Sequence, residues 1–241
     1  MYFWVKPPAM NNTRMHTLIW LTIFSIAMGY LENAVVIYLR EIYYPSGFDF
    51  PMVAMSGRMA ITEIFREAAT LVMLLSVAIL AGKKFPDRFA WFLYCFAVWD
   101  IFYYVFLKLL IGWPESILTW DILFLIPMVW TGPVITPVVV SLTMILLAVL
   151  IIFGNVTHPH RRSYWLILSG AFIIFISFVW DFASFMIRQY PVSGLLNYDL
   201  NQEALMKYVP RNFNWWLFII GELLIMSAIV TEFYRIRKNK I

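Results

Sequence analysis

Six long apolar runs, separated by basic, Pro-rich or Gly-rich gaps, set the pattern of this chain. Crossing a hydrocarbon core of about 30 Å takes about 20 residues of helix. The runs meet that length at 17–39, 59–81, 89–112, 134–153, 164–187 and 215–234. Stretches such as VVVSLTMILLAVLIIF show none of the two-residue alternation of a barrel strand. The reading is an all-α polytopic membrane protein, one domain over 1–241, built as a bundle of six spans.

Two connections carry structure of their own. From Trp120 to Phe153 the chain would be about 50 Å long as one straight helix, too long for the core. Pro127, Gly132, Pro133 and Pro137 supply a break, so Asp121 to Thr131 is expected to form an interfacial or re-entrant element, with an ordinary tilted helix kinked at proline as the equal alternative. The segment DLNQEALMKYVP reads as a short amphipathic surface helix, with Asp199 as N-cap, Gln202 at its third position and Pro210 as stop.

Composition agrees with a lipid solvent: 62% of the 241 residues are hydrophobic and 13% charged, against about 25% charged in a soluble domain. Basic residues give the orientation. The N-terminus (Lys6, Arg14), the loop at Lys83, Lys84 and Arg88, the loop at Arg161 and Arg162, and the C-terminus (Arg235, Arg237, Lys238, Lys240) outnumber Arg40, Arg58, Arg188, Lys207 and Arg211 on the other side. Both termini are therefore expected to be cytoplasmic, in a plasma or inner membrane. A basic rim facing anionic lipid accounts for the net charge of +4 without a nucleic-acid partner. MYFWVKPPAMNNTRMH lacks a cleavable signal pattern, so the first span is expected to be an uncleaved anchor. The sequons at Asn11 and Asn155 fall on the cytoplasmic side and read as chance matches.

Charges inside the spans change the picture. Counted from each outer end at about 1.5 Å per residue, Glu32, Arg66, Glu67, Asp181 and Glu222 all lie roughly 9 to 12 Å deep, with Asp100 nearer the midplane. A charge facing lipid there costs about 2.5 to 3.5 kcal/mol. These groups must face one another or a wet cavity. Helical spacing agrees, since Glu63, Arg66, Glu67 and Thr70 share one stripe, Ser177, Asp181, Ser184 and Arg188 another, and Ser25, Gly29, Glu32, Asn33 and Arg40 a third. Glu63 and Glu67 both reach Arg66 or its neighbours at helical spacing. The six acids Glu32, Glu63, Glu67, Asp100, Asp181 and Glu222 outnumber Arg66, Lys108, Arg40 and Arg188 by two, so the layer is expected to hold protons, water or a cation. The same charges also suit a salt-bridged network that fixes helix register.

Three outward spans repeat an order: Glu32 then Arg40 before Tyr44-Pro45, Asp100 then Lys108 before Trp113-Pro114, Asp181 then Arg188 before Tyr190-Pro191. Descent from one hairpin unit would give this, and so would ordinary snorkelling bases and belt aromatics.

The missing chemistry narrows the function. His16, His158 and His160 all fall at the cytoplasmic edge, leaving no facing imidazoles for haem. No Glu-x-x-His pair, Cys cluster, P-loop or Gly-x-Ser-x-Gly elbow occurs, so no cofactor or metal is expected. HPHRR at 158–162 suits anionic headgroups or a metal, and more simply a positive-inside loop. The leading expectation is a carrier for a proton, cation or small cationic solute, with Glu32, Glu63, Arg66, Glu67, Asp100, Asp181 and Glu222 as the site. The alternatives are an accessory or assembly subunit with membrane-protein partners or a second copy, and a lipid-modifying enzyme using Glu63 and Glu67 as acid and base.

Overall fold

The computed structural model describes residues 10–154, 156, 159–190 and 198–238. Lys6, Asn155, His158, Pro191 and Lys240 lie outside the described residues, as do the side chains of Asn11, Asp199 and Gln202.

Six helices, each long and apolar enough to cross a bilayer, form the bundle: α1 (Met10–Tyr43), α2 (Gly57–Ala81), α3 (Phe85–Ile111), α4 (Ile135–Gly154), α5 (Arg161–Gln189) and, after the short α6 (Tyr198–Leu205), α7 (Trp215–Lys238). They overlap all six runs read from sequence. Local chemistry sets several ends. Ser56 caps α2, its hydroxyl accepting from the Met59 N–H at 3.3 Å, as a serine before a first helical turn is suited to do. Pro86 occupies the first turn of α3, where its missing N–H costs nothing. The His160 ring accepts from the Arg162 N–H at 3.1 Å to open α5. At the end of α3, Gly112 adopts the left-handed conformation (φ 71°). A side chain would disfavour that conformation.

The helices alternate in direction. Arg14 near the start of α1 donates to the Ile152 carbonyl at the end of α4 and lies 3.8 Å from Asp87 at the start of α3. At the same end, Glu232 of α7 accepts from Ser163 Oγ (2.6 Å) and the His160 N–H (2.8 Å) at the start of α5. This is the terminal end of the bundle. Packing runs from α2 to α3, from α3 to α1 and α4, and from α4 through α7 to α5. Small residues let α5 and α7 approach closely: a Cβ on Gly170 would lie 2.7 Å from the Gly221 carbonyl. Large apolar side chains such as Phe65, Leu80 and Trp216 face outward, while Leu74, Ala78, Cys95, Leu107 and Phe182 are fully buried.

At the opposite end a β-hairpin replaces helix. β1 (Trp120–Phe124) pairs antiparallel with β2 (Trp130–Pro133), Asp121 opposite Gly132 and Ile122 opposite Thr131. The expected element at Asp121 to Thr131 is thus a pair of strands. With proline breaking the helical ladder, these backbone groups need other partners, and the strands supply them. Trp130 stacks on Phe178 at 6.0 Å. Phe178 sits roughly 16 Å along α5 from its Gln189 end. The hairpin therefore dips between helices.

α6 departs from expectation at both ends: it starts at Tyr198, before the expected cap, and stops at Leu205 rather than running to Pro210. Tyr208 is the reason. Its ring is buried against Phe182 and Phe185, and its hydroxyl bonds Asp181 Oδ2 at 2.7 Å and Thr131 Oγ1 at 3.0 Å, which turns the chain inward.

Candidate functional site

Glu32, Glu63, Arg66 and Glu67 come together at the hairpin end, on the facing sides of α1 and α2. The arginine bridges two acids. Its Nη1 pairs with Glu32 Oε1, while Nε donates to Glu63 Oε2 at 2.9 Å and Nη2 donates to the same oxygen at 2.7 Å. A forked arrangement of this kind suits a planar guanidinium. Thr70 donates to the second oxygen of Glu32 at 3.0 Å. Glu67, next to Arg66 in the chain and so not facing it along the helix, is engaged elsewhere. Its Oε2 accepts the Leu125 N–H at 2.9 Å, tying α2 to the hairpin, and among the described residues no cationic group lies within ion-pair distance of it.

Glu63, Arg66 and Glu67 line a cavity of about 140 Å³ bounded by α1, α2, α3, the hairpin and α6. Glu67 lies roughly 15 Å along α2 from Gly57. Tyr103 and Asp121 complete the polar wall, and Met52, Met55 and Met206 form an apolar roof. The roof is strapped in place: Tyr44 Oη accepts the Val53 N–H at 2.8 Å, and the Met52 N–H reaches the Leu205 carbonyl at 3.2 Å.

Arg40 stands at the upper wall. Its guanidinium carbon is 3.7 Å from the Trp113 ring centroid and 4.5 Å from that of Phe48, within the range where a ring face attracts a cation. Nη2 lies 3.5 Å from Asp121 Oδ1, and the buried Nη1 has no hydrogen-bond partner. Asp121 is 3% exposed, and its other oxygen accepts from Tyr104 Oη at 3.2 Å. Burial pushes the Asp121 carboxyl up to about 6, against the opposing pull of Arg40 and Tyr104. Beyond Arg40 a wider vestibule of about 550 Å³ carries Glu41, Asp49 and Glu115 at its mouth. Arg40, Tyr44 and Phe48 line both spaces and divide them.

The remaining sequence candidates lie apart from this chamber. Asp100 accepts from Ser141 of α4 at 2.8 Å, and Glu222 from Thr143 of α4 at 2.8 Å. Asp181 is held by Tyr208 and by the Arg211 N–H at 3.2 Å. Nor do the bases of the repeated outward-span pattern play equivalent parts. Arg40 faces Asp121, Lys108 caps its own helix through the Gly112 and Pro114 carbonyls, and Arg188 is exposed at the rim.

Asp121 and Tyr103 are the site residues that sequence reasoning passed over, and Arg40 was read only as a rim base. Asp121 had one signal, an acid opening a segment that cannot continue as helix. Glu63, Glu67 and Asp121 line the chamber with Arg40 and Arg66, and Glu32 pairs with Arg66 from outside its lining, so the cluster as a whole carries four carboxylates against two guanidiniums, an excess of two negative charges when all are ionised. The arrangement can hold a small cation or protons. The chain matches no protein-family model, no curated protein and no solved structure.

Proposed function

We propose that this protein is an integral membrane carrier that loads a small cation, or protons in its place, into the chamber beneath Arg40 from the non-cytoplasmic side. One observation carries the reading: Glu67 presents a buried carboxylate to a cavity, with no ion-pair partner among the described residues. The acidic mouth formed by Glu41, Asp49 and Glu115 favours cation entry by raising local cation concentration. Further along α1–α3 from the chamber, Met28, Leu74, Trp99 and Ala78 pack densely, as a carrier closed on one side requires. The lipid-modifying enzyme has weaker support, because Glu63 is already engaged by Arg66 and only Glu67 remains free to act as acid or base. An accessory subunit would have no use for the chamber.

The test is thermal unfolding in nanodiscs, titrated with methylammonium chloride at constant ionic strength. The wild type is expected to be stabilised saturably at about pH 7.5, well above the Asp121 transition. Removing one charge-assisted contact by Glu67→Gln should weaken apparent affinity roughly tenfold. Protonating Asp121 removes a negative charge from the chamber, so affinity should fall as pH drops through about 6. A wild type that ignores methylammonium, sodium and potassium alike at that higher pH sinks the proposal.

The orientation is tested by labelling. In a Cys95→Ala background, cysteines at Lys84 and at Glu203, both exposed, are expected to react with an impermeant maleimide from opposite sides, with Lys84 cytoplasmic. Labelling of both from one side would overturn the arrangement.

A further inference from the structure

The chamber beneath Arg40 has two unlike faces. On one, Glu67 spends Oε2 on the Leu125 N–H, and its Oε1 has no hydrogen-bond partner among the described residues. Unlike the unpartnered Arg40 Nη1, that oxygen is not sealed off by protein. Glu67 is 9% exposed and lines the cavity, so the oxygen is an acceptor left open inside a buried site. Glu63 stands one turn earlier on the same face of α2 and adds to the negative potential there. The other face is carbon and sulfur, with Leu39, Ile122 and Leu125 on the walls and Met52, Met55 and Met206 above.

Each face limits what the chamber can take. Calcium and magnesium bind through about six or more oxygens, and among the described residues no group of three or more His, Cys, Asp or Glu side chains is placed to hold a metal ion. A monovalent metal ion would have to shed its water against apolar walls, which is costly for a bare charge. A guanidinium binds a carboxylate best through a two-pronged fork, but Glu67 has one oxygen to give. A quaternary ammonium has no N–H to donate to it. A primary ammonium fits, being a compact charge with its own donors, joined to a chain that the apolar face can cover. Volume limits the chain, since a cavity of about 150 Å³ holds benzene, and this one is about 140 Å³.

We propose, resting on the carrier function put forward for this chamber, that its cargo is a short-chain primary alkylammonium, the head on Glu67 Oε1 and the chain under the methionine roof. Glu67 selects for charge. The apolar face selects amine over metal, because each CH₂ buried there is worth a roughly fourfold gain in affinity.

Thermal unfolding in nanodiscs reads binding at about pH 7.5, where an alkylammonium, like a lysine head, is charged. The series is sodium, potassium, tetramethylammonium, methylammonium, ethylammonium, butylammonium and octylammonium chlorides at constant ionic strength, with 1-butanol as the neutral counterpart. Stabilisation by the primary amines is expected to saturate, apparent affinity rising roughly fourfold per CH₂ from methylammonium to butylammonium and falling at octylammonium, which outgrows the chamber. Sodium, potassium and tetramethylammonium should each bind at least roughly tenfold more weakly than butylammonium, and 1-butanol should not stabilise. Glu67→Gln keeps the acceptor for Leu125 and the apolar face, so it should weaken the whole amine series roughly tenfold and preserve the dependence on chain length. Sodium or potassium matching butylammonium, or an affinity indifferent to chain length, would overturn the amine class and leave a cation carrier standing. Affinity that still climbs at octylammonium, stabilisation by 1-butanol, or an amine response unchanged in Glu67→Gln would place the amines in lipid or elsewhere on the protein, and would overturn it equally. Silence from every cation in the series would sink the carrier function itself.

Discussion

Replacing Arg66 by Gln is expected to cost about 3 to 5 kcal/mol of stability, the range for removing one partner of a buried ionic group. Arg66 serves two carboxylates on different helices, Glu32 at 8% and Glu63 at 7% exposure, so its loss leaves two buried acids without a counter-charge. Thr70 alone remains on Glu32. A second change, Glu32→Gln, removes one orphaned charge and should recover a large part of the loss, giving a clear coupling energy in a double-mutant cycle. Pairing Arg66→Gln with Glu67→Gln should recover less, because Glu67 bonds the hairpin at Leu125 rather than the guanidinium. Arg66→Lys should fall between, since an ammonium cannot reproduce the fork to Glu63. Denaturation of the purified variants in one detergent supplies the comparison. A single mutant as stable as the wild type would mean that Glu32 and Glu63 are hydrated through the chamber well enough to need no arginine.

The division of labour among these acids marks where sequence reasoning reaches its limit. Helical spacing placed Glu63, Arg66 and Glu67 on one stripe, and α2 indeed buries Glu63, Glu67 and Thr70. It also placed Ser25, Glu32, Asn33 and Arg40 on one face of α1, all now buried. Periodicity along a helix gives the face but not the neighbour. That Glu32 meets Arg66 while Asp100 meets Ser141 depends on how α1, α2, α3 and α4 are arranged around one another, and no pattern within a single helix encodes that order. Depth was a second partial guide. Glu32, Asp181 and Glu222 were read at one level, yet each meets a different partner helix or turn, and Asp181 serves the stretch after α6 through Tyr208 rather than the chamber. The hairpin was harder still. Proline and glycine announce that helix ends near Pro127 and Pro133, but they do not say whether the interrupted chain lies on the surface or folds inward as strands. Asp121 was lost with it, because its role follows from strand register and from Arg40, which comes from a helix far earlier in the chain.

The close approach of α5 and α7 gives the other large effect. Gly170→Ala and Gly221→Ala are each expected to destabilise the protein by about 1 to 3 kcal/mol, as overpacking does at a contact that cannot yield. A methyl at Gly170 would lie 2.7 Å from the Gly221 carbonyl oxygen, and one at Gly221 would lie 2.8 Å from the Gly170 carbonyl oxygen. Both obstacles are backbone. A rotamer change cannot relieve them, so the helices must separate, and separation forfeits the packed contact directly. The two substitutions report on one crossing point, so their effects should not add. Once the first methyl has pushed the helices apart, the second finds room, and the double mutant should lose clearly less than the sum of the singles. Gly57→Ala is the control, because a methyl there meets no neighbouring atom and the backbone is already helical. That exchange should be neutral or slightly stabilising. Thermal unfolding of the four variants decides the matter. Strict additivity, or a harmless Gly170→Ala, would show that α5 and α7 sit further apart than this packing implies.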